Sequence, residues 1–241
     1  MQWLARITFL LGLLAAVGLL LTGPAYRMGW WELGFTFRVF FYVVYAAIGA
    51  TVLGVLALIV RWRSGRGSVV LALLGMVLAG GAASVPVMMR SQASEVPPIH
   101  DITTNTMDPP AFVAIAPLRA DAPNPVDYAG EETAVKQREA YPDLQTIRIR
   151  ATVPEVFSQA SAAVADLGWE IHAVEEGEGR IEATDTTRWF AFKDDVVIRI
   201  VAGNEVTLVD VRSKSRVGMS DIGLNAERIR RFRDALLARL L

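Results

Sequence analysis

Three runs of about 20 apolar residues fall within the first 90 positions, and no other feature constrains the fold of this chain so strongly. From Trp3 to Thr22 the sequence is almost unbroken Leu, Ala, Val and Gly, interrupted by Arg6. The second run extends from about Phe37 to Val60 and the third from about Val69 to Met89. Each is long enough to cross the hydrocarbon core of a bilayer, with some tilt, so residues 1–90 are expected to form an all-α membrane anchor of three transmembrane helices. A cleaved signal peptide is the rival reading of the first run. Thr22-Gly23-Pro24-Ala25 lacks an A-x-A cleavage site and further apolar runs follow, which favours an uncleaved anchor.

Charge separates the chain into two parts. Up to Arg90 there are seven Arg against one acid, whereas the remainder carries seventeen basic and twenty-four acidic residues. Arg61, Arg63 and Arg66 crowd the short loop between the second and third runs, which marks it as cytoplasmic and places the N-terminus inside and everything after Arg90 outside. Small residues recur every fourth position, at Ala46, Ala50 and Gly54 and again at Gly75, Ala79 and Ala83, either as helix contact rows or as ordinary membrane composition. No Asp, Glu, His or Lys lies inside a run, which speaks against a transporter or pump. Tyr26, Trp30, Trp31, Phe35 and Phe37 read as anchors at the membrane surface.

The acidic balance after Arg90 excludes a nucleic-acid partner, since phosphates require a surplus of Lys and Arg on one face. The absence of cysteine removes disulfides, thiolate metal sites and thiol nucleophiles. Residues 91–142 are rich in Pro, Asp, Thr and Ala, with Pro97-Pro98, Pro109-Pro110, Pro123 and Pro125 opposing regular structure. They form either a tether or an arm laid over the domain.

Residues 143–241 carry the periodicities of a soluble α+β domain. A strand is expected over 144–150, then a helix opened by a Thr152-Val153-Pro154-Glu155 capping box and closed by Gly168. Strands over 169–174, 179–189, 196–202 and 205–217 follow, with turns at Glu176-Gly177-Glu178, Lys193-Asp194-Asp195 and Gly203-Asn204. A last helix capped by Asn225 buries Ile229, Phe232, Leu236 and Leu240 and turns Arg228, Arg231 and Asp234 largely away. The order predicts an antiparallel sheet of about five strands with two helices on one face.

Several strings carry a family resemblance: His100-Asp101-Ile102-Thr103-Thr104, Pro109-Pro110-Ala111-Phe112, Ala183-Thr184-Asp185-Thr186-Thr187-Arg188-Trp189-Phe190, Asp194 to Ile200, Asp210-Val211-Arg212-Ser213 and Ser220 to Ala226. Together they resemble the domain of unknown function 1499 family over about the last 140 residues. The resemblance implies a bacterial-type envelope protein and brings no activity with it. It also implies that the Pro-rich segment is part of the domain.

Motifs for chemistry are sparse. The chain contains no Gly-rich phosphate loop, H-E-x-x-H, G-x-S-x-G or calcium loop. Ser220 lies among glycines without nucleophile-elbow spacing or a downstream His. His100 reads as a loop histidine and His172 as solvent-facing, while Glu175-Glu176 and Asp194-Asp195 read as solvated turn acids. Strand phase leaves one constellation: Asp185 and Thr187 on one row, Ser213 and Ser215 on another, with Arg188, Arg212, Lys214 and Arg216 on the opposite rows. These residues form either a polar pocket for an anionic or hydroxyl-rich ligand, with Arg216 and Arg188 oriented by Asp185, or an ion pair that ties strand ends.

The expectation is a multi-pass inner-membrane protein with a periplasmic-side binding or scaffolding module, its partners the lipid bilayer and an envelope protein or anionic envelope ligand. No cofactor, metal or catalytic residue is assigned. The alternatives are an enzyme with an unfamiliar site near Asp185 and Arg216, and a lipid carrier or sensor.

Overall fold

The computed structural model describes residues 2–240, and the chain divides into two compact units. The first comprises the residues up to Gln92 together with Arg188–Ala191; the second comprises Ala93–Thr187 and the chain from Phe192 onward.

The first unit is built on helices α1 (Gln2–Arg27), α2 (Leu33–Ser64) and α3 (Val69–Glu95), each long and apolar enough to cross a membrane. Lipid offers apolar side chains no reason to leave it, so the inward faces are made of small residues that let backbones approach. Buried positions include Ala5, Thr8, Gly12 and Ala15 on α1, Ala47, Ala50 and Gly54 on α2, and Ala72, Gly75 and Ala79 on α3. At Gly75 the approach is so close that an added Cβ would lie 2.5 Å from the Thr8 carbonyl oxygen; at Gly54 it would lie 2.5 Å from Met76. Ala50, Gly54, Gly75 and Ala79 of the two expected rows are thus buried in helix contacts, with Ala46 and Ala83 half-buried beside them. The Thr8, Thr36 and Thr51 hydroxyls donate to the carbonyl four residues earlier and need no other partner. Gly65, with φ of +67°, ends α2 and donates its N–H to Arg61 O.

The second unit is α+β. Its strands are β1 (Asp101–Thr103), β2 (Ile147–Ile149), β3 (Glu170–Glu175), β4 (Arg180–Thr186), β5 (Lys193–Ala202) and β6 (Thr207–Ser215), all paired antiparallel. The sheet runs β1-β6-β5-β4-β3, and β2 also pairs with β6. β6 therefore takes β1 along residues 212–214 and β2 along residues 207–209 on the same edge.

One face of the sheet is apolar. Ile181 and Ala183 of β4, Val196, Ile198 and Ile200 of β5, and Val209 and Val211 of β6 pack with helices α5 (Val153–Asp166) and α6 (Leu224–Leu240) through Val156, Ala160, Val164, Ile229, Phe232 and Leu236. Trp169 stacks on Phe232 at 6.1 Å between ring centroids. These are the two helices the periodicity predicts.

Residues 96–142 are the arm and not a tether, while 91–95 complete α3. β1 joins the sheet, a 3-10 turn forms at Ala116–Arg119, and helix α4 spans Glu131–Ala140. The boundary expected near residue 143 therefore moves back to the end of α3, because this segment has few ladder bonds of its own and takes its partners from the sheet. At the outer edge of β1 the Gln137 side chain replaces a strand: its Nε2 donates to Thr103 O at 2.6 Å and its Oε1 accepts the Thr103 N–H at 2.9 Å.

Several local expectations change. Thr152 begins α5 with extended backbone, but its side chain makes no capping bond. The turn expected at Lys193-Asp194-Asp195 is strand, and the hairpin reverses over 187–192 instead, where Thr187 and Phe192 exchange bonds: Thr187 N–H to Phe192 O and Phe192 N–H to Thr187 Oγ1. Asn225 lies inside the first turn of α6, and Asp221 accepts the Gly223 and Asn225 N–H groups there at 2.8 and 2.9 Å.

Candidate functional site

Strand alternation separates the expected constellation into two clusters on opposite faces of the sheet. The first lies at the polar end of the apolar face. Asp185 of β4, Asp194 of β5 and Ser213 of β6 gather around the buried Arg228 of α6. Arg228 Nε donates to Asp185 at 2.8 Å, Nη2 to Asp194 at 2.7 Å, and Nη1 to Asn225 Oδ1 at 2.6 Å and Ser213 Oγ at 3.2 Å. Asn225 Nδ2 donates to Ser215 Oγ and to His100 O. Asp185 is thus paired with Arg228, and not with Arg216 or Arg188.

Burial pushes the Asp194 carboxyl up despite the neighbouring Arg228 charge and the Ser215 and Arg228 hydrogen bonds. Burial likewise raises Asp221, against the backbone N–H groups it accepts. The arrangement ties α6 to three strands.

The second cluster covers the other face. Arg212 grips Asp101 with two parallel bonds, Nε and Nη2 each at 2.9 Å, and Lys214 Nζ reaches the same carboxylate at 2.9 Å. Burial opposes ionisation of Asp101, but hydrogen bonding and charge from Arg212 and Lys214 outweigh it and hold the carboxyl below its ordinary value. Burial lowers Lys214 against the pull of Asp101. Next to this pair, Asp195 accepts Arg119 Nη1 at 3.0 Å, Arg216 Nε and Nη2 at 2.9 and 2.8 Å, and Thr184 Oγ1 at 2.7 Å. The Arg119 and Arg212 guanidiniums each lie over the Phe112 ring, 5.6 and 4.9 Å from its centre. Tyr128 stacks on Arg212 at 5.4 Å, and burial with the nearby Asp101 charge pushes its hydroxyl up to about 12.

The cations of this cluster also donate to main-chain carbonyls of the Pro-rich segment. Arg212 donates to Pro110 O and Val126 O, Lys214 to Asp127 O, Arg119 to Asn124 O and Arg216 to Leu118 O. Glu182, fully buried on β4, does the converse. Its Oε1 accepts the Val113 and Ala114 N–H groups at 3.0 Å each, and its Oε2 accepts that of Ile115 at 2.9 Å, with Arg180 at 2.6 Å. Buried backbone groups require partners, and here the side chains of the sheet supply them to a segment whose prolines deny it a ladder.

Arg212 and Arg216 therefore belong to this second face, while Asp185, Ser213 and Ser215 belong to the first. Thr187 closes the hairpin. Arg188 is exposed within the 188–190 turn and forms no part of either cluster. His172 is half-buried and not solvent-facing: its Nε2 bonds Thr184 Oγ1 at 2.9 Å. Asp194 and Asp195 are 3% and 0% exposed, not solvated turn acids.

Arg119, Asp101 and Arg228 escaped the sequence reading. An Arg on a helix face resembles a solvated charge unless its partner, 34 to 43 residues away, is known. The Asp-rich strand ends were the available signal. Among the described residues, no group of three or more His, Asp or Glu converges in a way that could hold a metal ion.

A family model described as a protein of unknown function, DUF1499, matches residues 101–236, more than half of the chain. No curated protein matches. The matched region begins at Asp101, the carboxylate that Arg212 and Lys214 share, and takes in both clusters.

Proposed function

The chain belongs to the DUF1499 family, and from that premise we propose that it is a non-enzymatic binding or scaffolding module held at the outer face of the inner membrane. The observation that carries the reading is where the polar groups go. Apart from Arg188, each residue that sequence pattern offered as a ligand or reaction group is engaged with its own chain. Their bonds bind strands, α6 and the Pro-rich segment into one body, so the groups a reaction would need are already occupied. What is left to the outside is surface, which suits association with another macromolecule.

The orientation is supported by Arg61, Arg63 and Arg66, whose charge favours the cytoplasmic side. α3 then carries the acidic domain across. The cysteine-free sequence makes the test direct. With Ser64→Cys and Gln145→Cys introduced separately, a membrane-impermeant maleimide applied to spheroplasts should label position 145 at once and position 64 only after lysis. Labelling in the reverse order contradicts the proposed placement.

A further inference from the structure

β3 is the outermost strand of the sheet, paired on one side with β4 and, among the described residues, with no strand on the other. Such an edge presents unpaired N–H and C=O groups to any extended chain of matching character. The bulge between Ile171 and Ala173 gives this edge an unusual division. Ile171 opposes Ala183 and Val174 opposes Ile181, so both apolar side chains lie on the α5 side, where they are 40% and 45% exposed. Glu170 opposes Thr184 and Glu175 opposes Arg180, which puts the acids on the other side.

Space and charge both continue beyond the strand. An open groove of about 540 Å³ runs beside it, lined by Ser158, Ser161, Ala162 and Ala165 of α5 with Phe157, Ile171 and Glu176. The Ser and Ala side chains of α5 leave room beside Phe157 for larger ones arriving with an added strand. Glu170, Glu175 and Glu176 are exposed and none forms an ion pair among the described residues. A second copy pairing antiparallel on this edge would set acids against acids, which is unfavourable. A basic chain meets the opposite condition.

We propose that the β3 edge receives an extended segment of a partner protein in which apolar and basic residues alternate, its apolar side chains over Ile171, Val174 and the α5 groove and its Lys or Arg beside Glu170 and Glu175, with Glu176 bordering the groove. This names the partner class of the binding module proposed above and rests on that reading.

The full-length chain in nanodiscs is titrated with the peptide acetyl-Lys-Val-Lys-Val-Lys-Val-Lys-amide, and backbone hydrogen exchange is followed by mass spectrometry. The expected result is saturable binding that slows exchange over residues 170–175. A peptide with Pro replacing the central Val should bind at least about tenfold more weakly, since it lacks a ladder donor. Glu170→Lys, Glu175→Lys and Glu176→Lys combined should cost about tenfold as well, and should transfer preference to the Glu-Val counterpart.

Protection elsewhere on the domain would overturn the edge assignment while leaving the binding-module reading intact. Equal binding of the Pro peptide, or no protection at any position, would also overturn it, as would self-association of the chain through residues 170–175. The maleimide experiment reports on the underlying reading independently, so the two failures are separable.

Discussion

Glu182→Gln tests whether the charged face holds the Pro-rich segment in place. The glutamate carboxylate accepts three backbone N–H groups, from Val113, Ala114 and Ile115, and one Arg180 bond, with no exposure to water. An amide of the same shape keeps one acceptor oxygen and turns two donors toward the site of the other. If the oxygen stays with Val113 and Ala114, the Ile115 N–H faces an NH2 group and is orphaned. A buried N–H left without a partner costs about 1–3 kcal/mol, and bonds to an ionised acceptor are stronger than neutral ones. The Arg180 contact also becomes a charge-to-neutral bond. A loss of about 2–4 kcal/mol follows. Urea unfolding of the full-length chain in detergent, followed by tryptophan fluorescence, measures it, and hydrogen exchange at residues 113–115 localises it. Stability within about 0.5 kcal/mol of the parent, with unchanged exchange at those three amides, would refute the reasoning.

Three further outcomes are expected. Asp101 titrates below its ordinary value in the folded domain, so its contribution is present above the ordinary aspartate range near pH 4 and is lost as pH falls through the lowered folded value; Asp101→Asn should lower stability at pH 7 and flatten the acid limb of unfolding measured from pH 7 to pH 2. Asp194 has the opposite sign: its folded value is raised, so its ionisation costs stability as pH rises through that value, and Asp194→Asn should remove this part of the pH slope. In the membrane unit, Gly75→Ala places a methyl 2.5 Å from the Thr8 carbonyl oxygen; forcing those helices apart should cost about 1–3 kcal/mol in denaturing-detergent titration, whereas Gly80→Ala, where nothing lies within 4 Å, should cost little.

Local signals made the helices and most strands legible. The spans announce themselves by length and hydropathy, and α5 and α6 by the spacing of Val156, Ala160 and Val164 and of Ile229, Phe232 and Leu236. The alternation of β4, β5 and β6 placed Asp185, Ser213 and Ser215 on one face correctly relative to Arg212 and Arg216. What stayed hidden depends on contacts distant in sequence. Asp194-Asp195 carries the composition of a turn, yet Arg228 neutralises one residue and Arg119 with Arg216 the other, which lets both sit buried in a strand. His172 lies on the face opposite Ile171, as alternation predicts, but the hydroxyl of Thr184 on the neighbouring strand holds it half-buried where sequence alone suggested solvent. The Pro-rich segment shows no periodicity because its order comes from Glu182, Arg212, Lys214 and Arg216, 67 to 102 residues away along the chain, not from its own backbone. The candidate site divided along the pleat: its arginines, read on the rows opposite its hydroxyls, lie on the other face of the sheet, where carbonyls of the Pro-rich segment take their donors.

Native-state hydrogen exchange on the unmodified full-length chain addresses the central claim most directly, that the Pro-rich segment is integral to the domain and fixed by the charged face of the sheet. The amides of Thr103, Val113, Ala114 and Ile115 should exchange as slowly as those of β5 and β6, because they open only when the sheet's side chains release them. Exchange of these four at the rate of an unstructured chain, with β5 and β6 still protected, would contradict it.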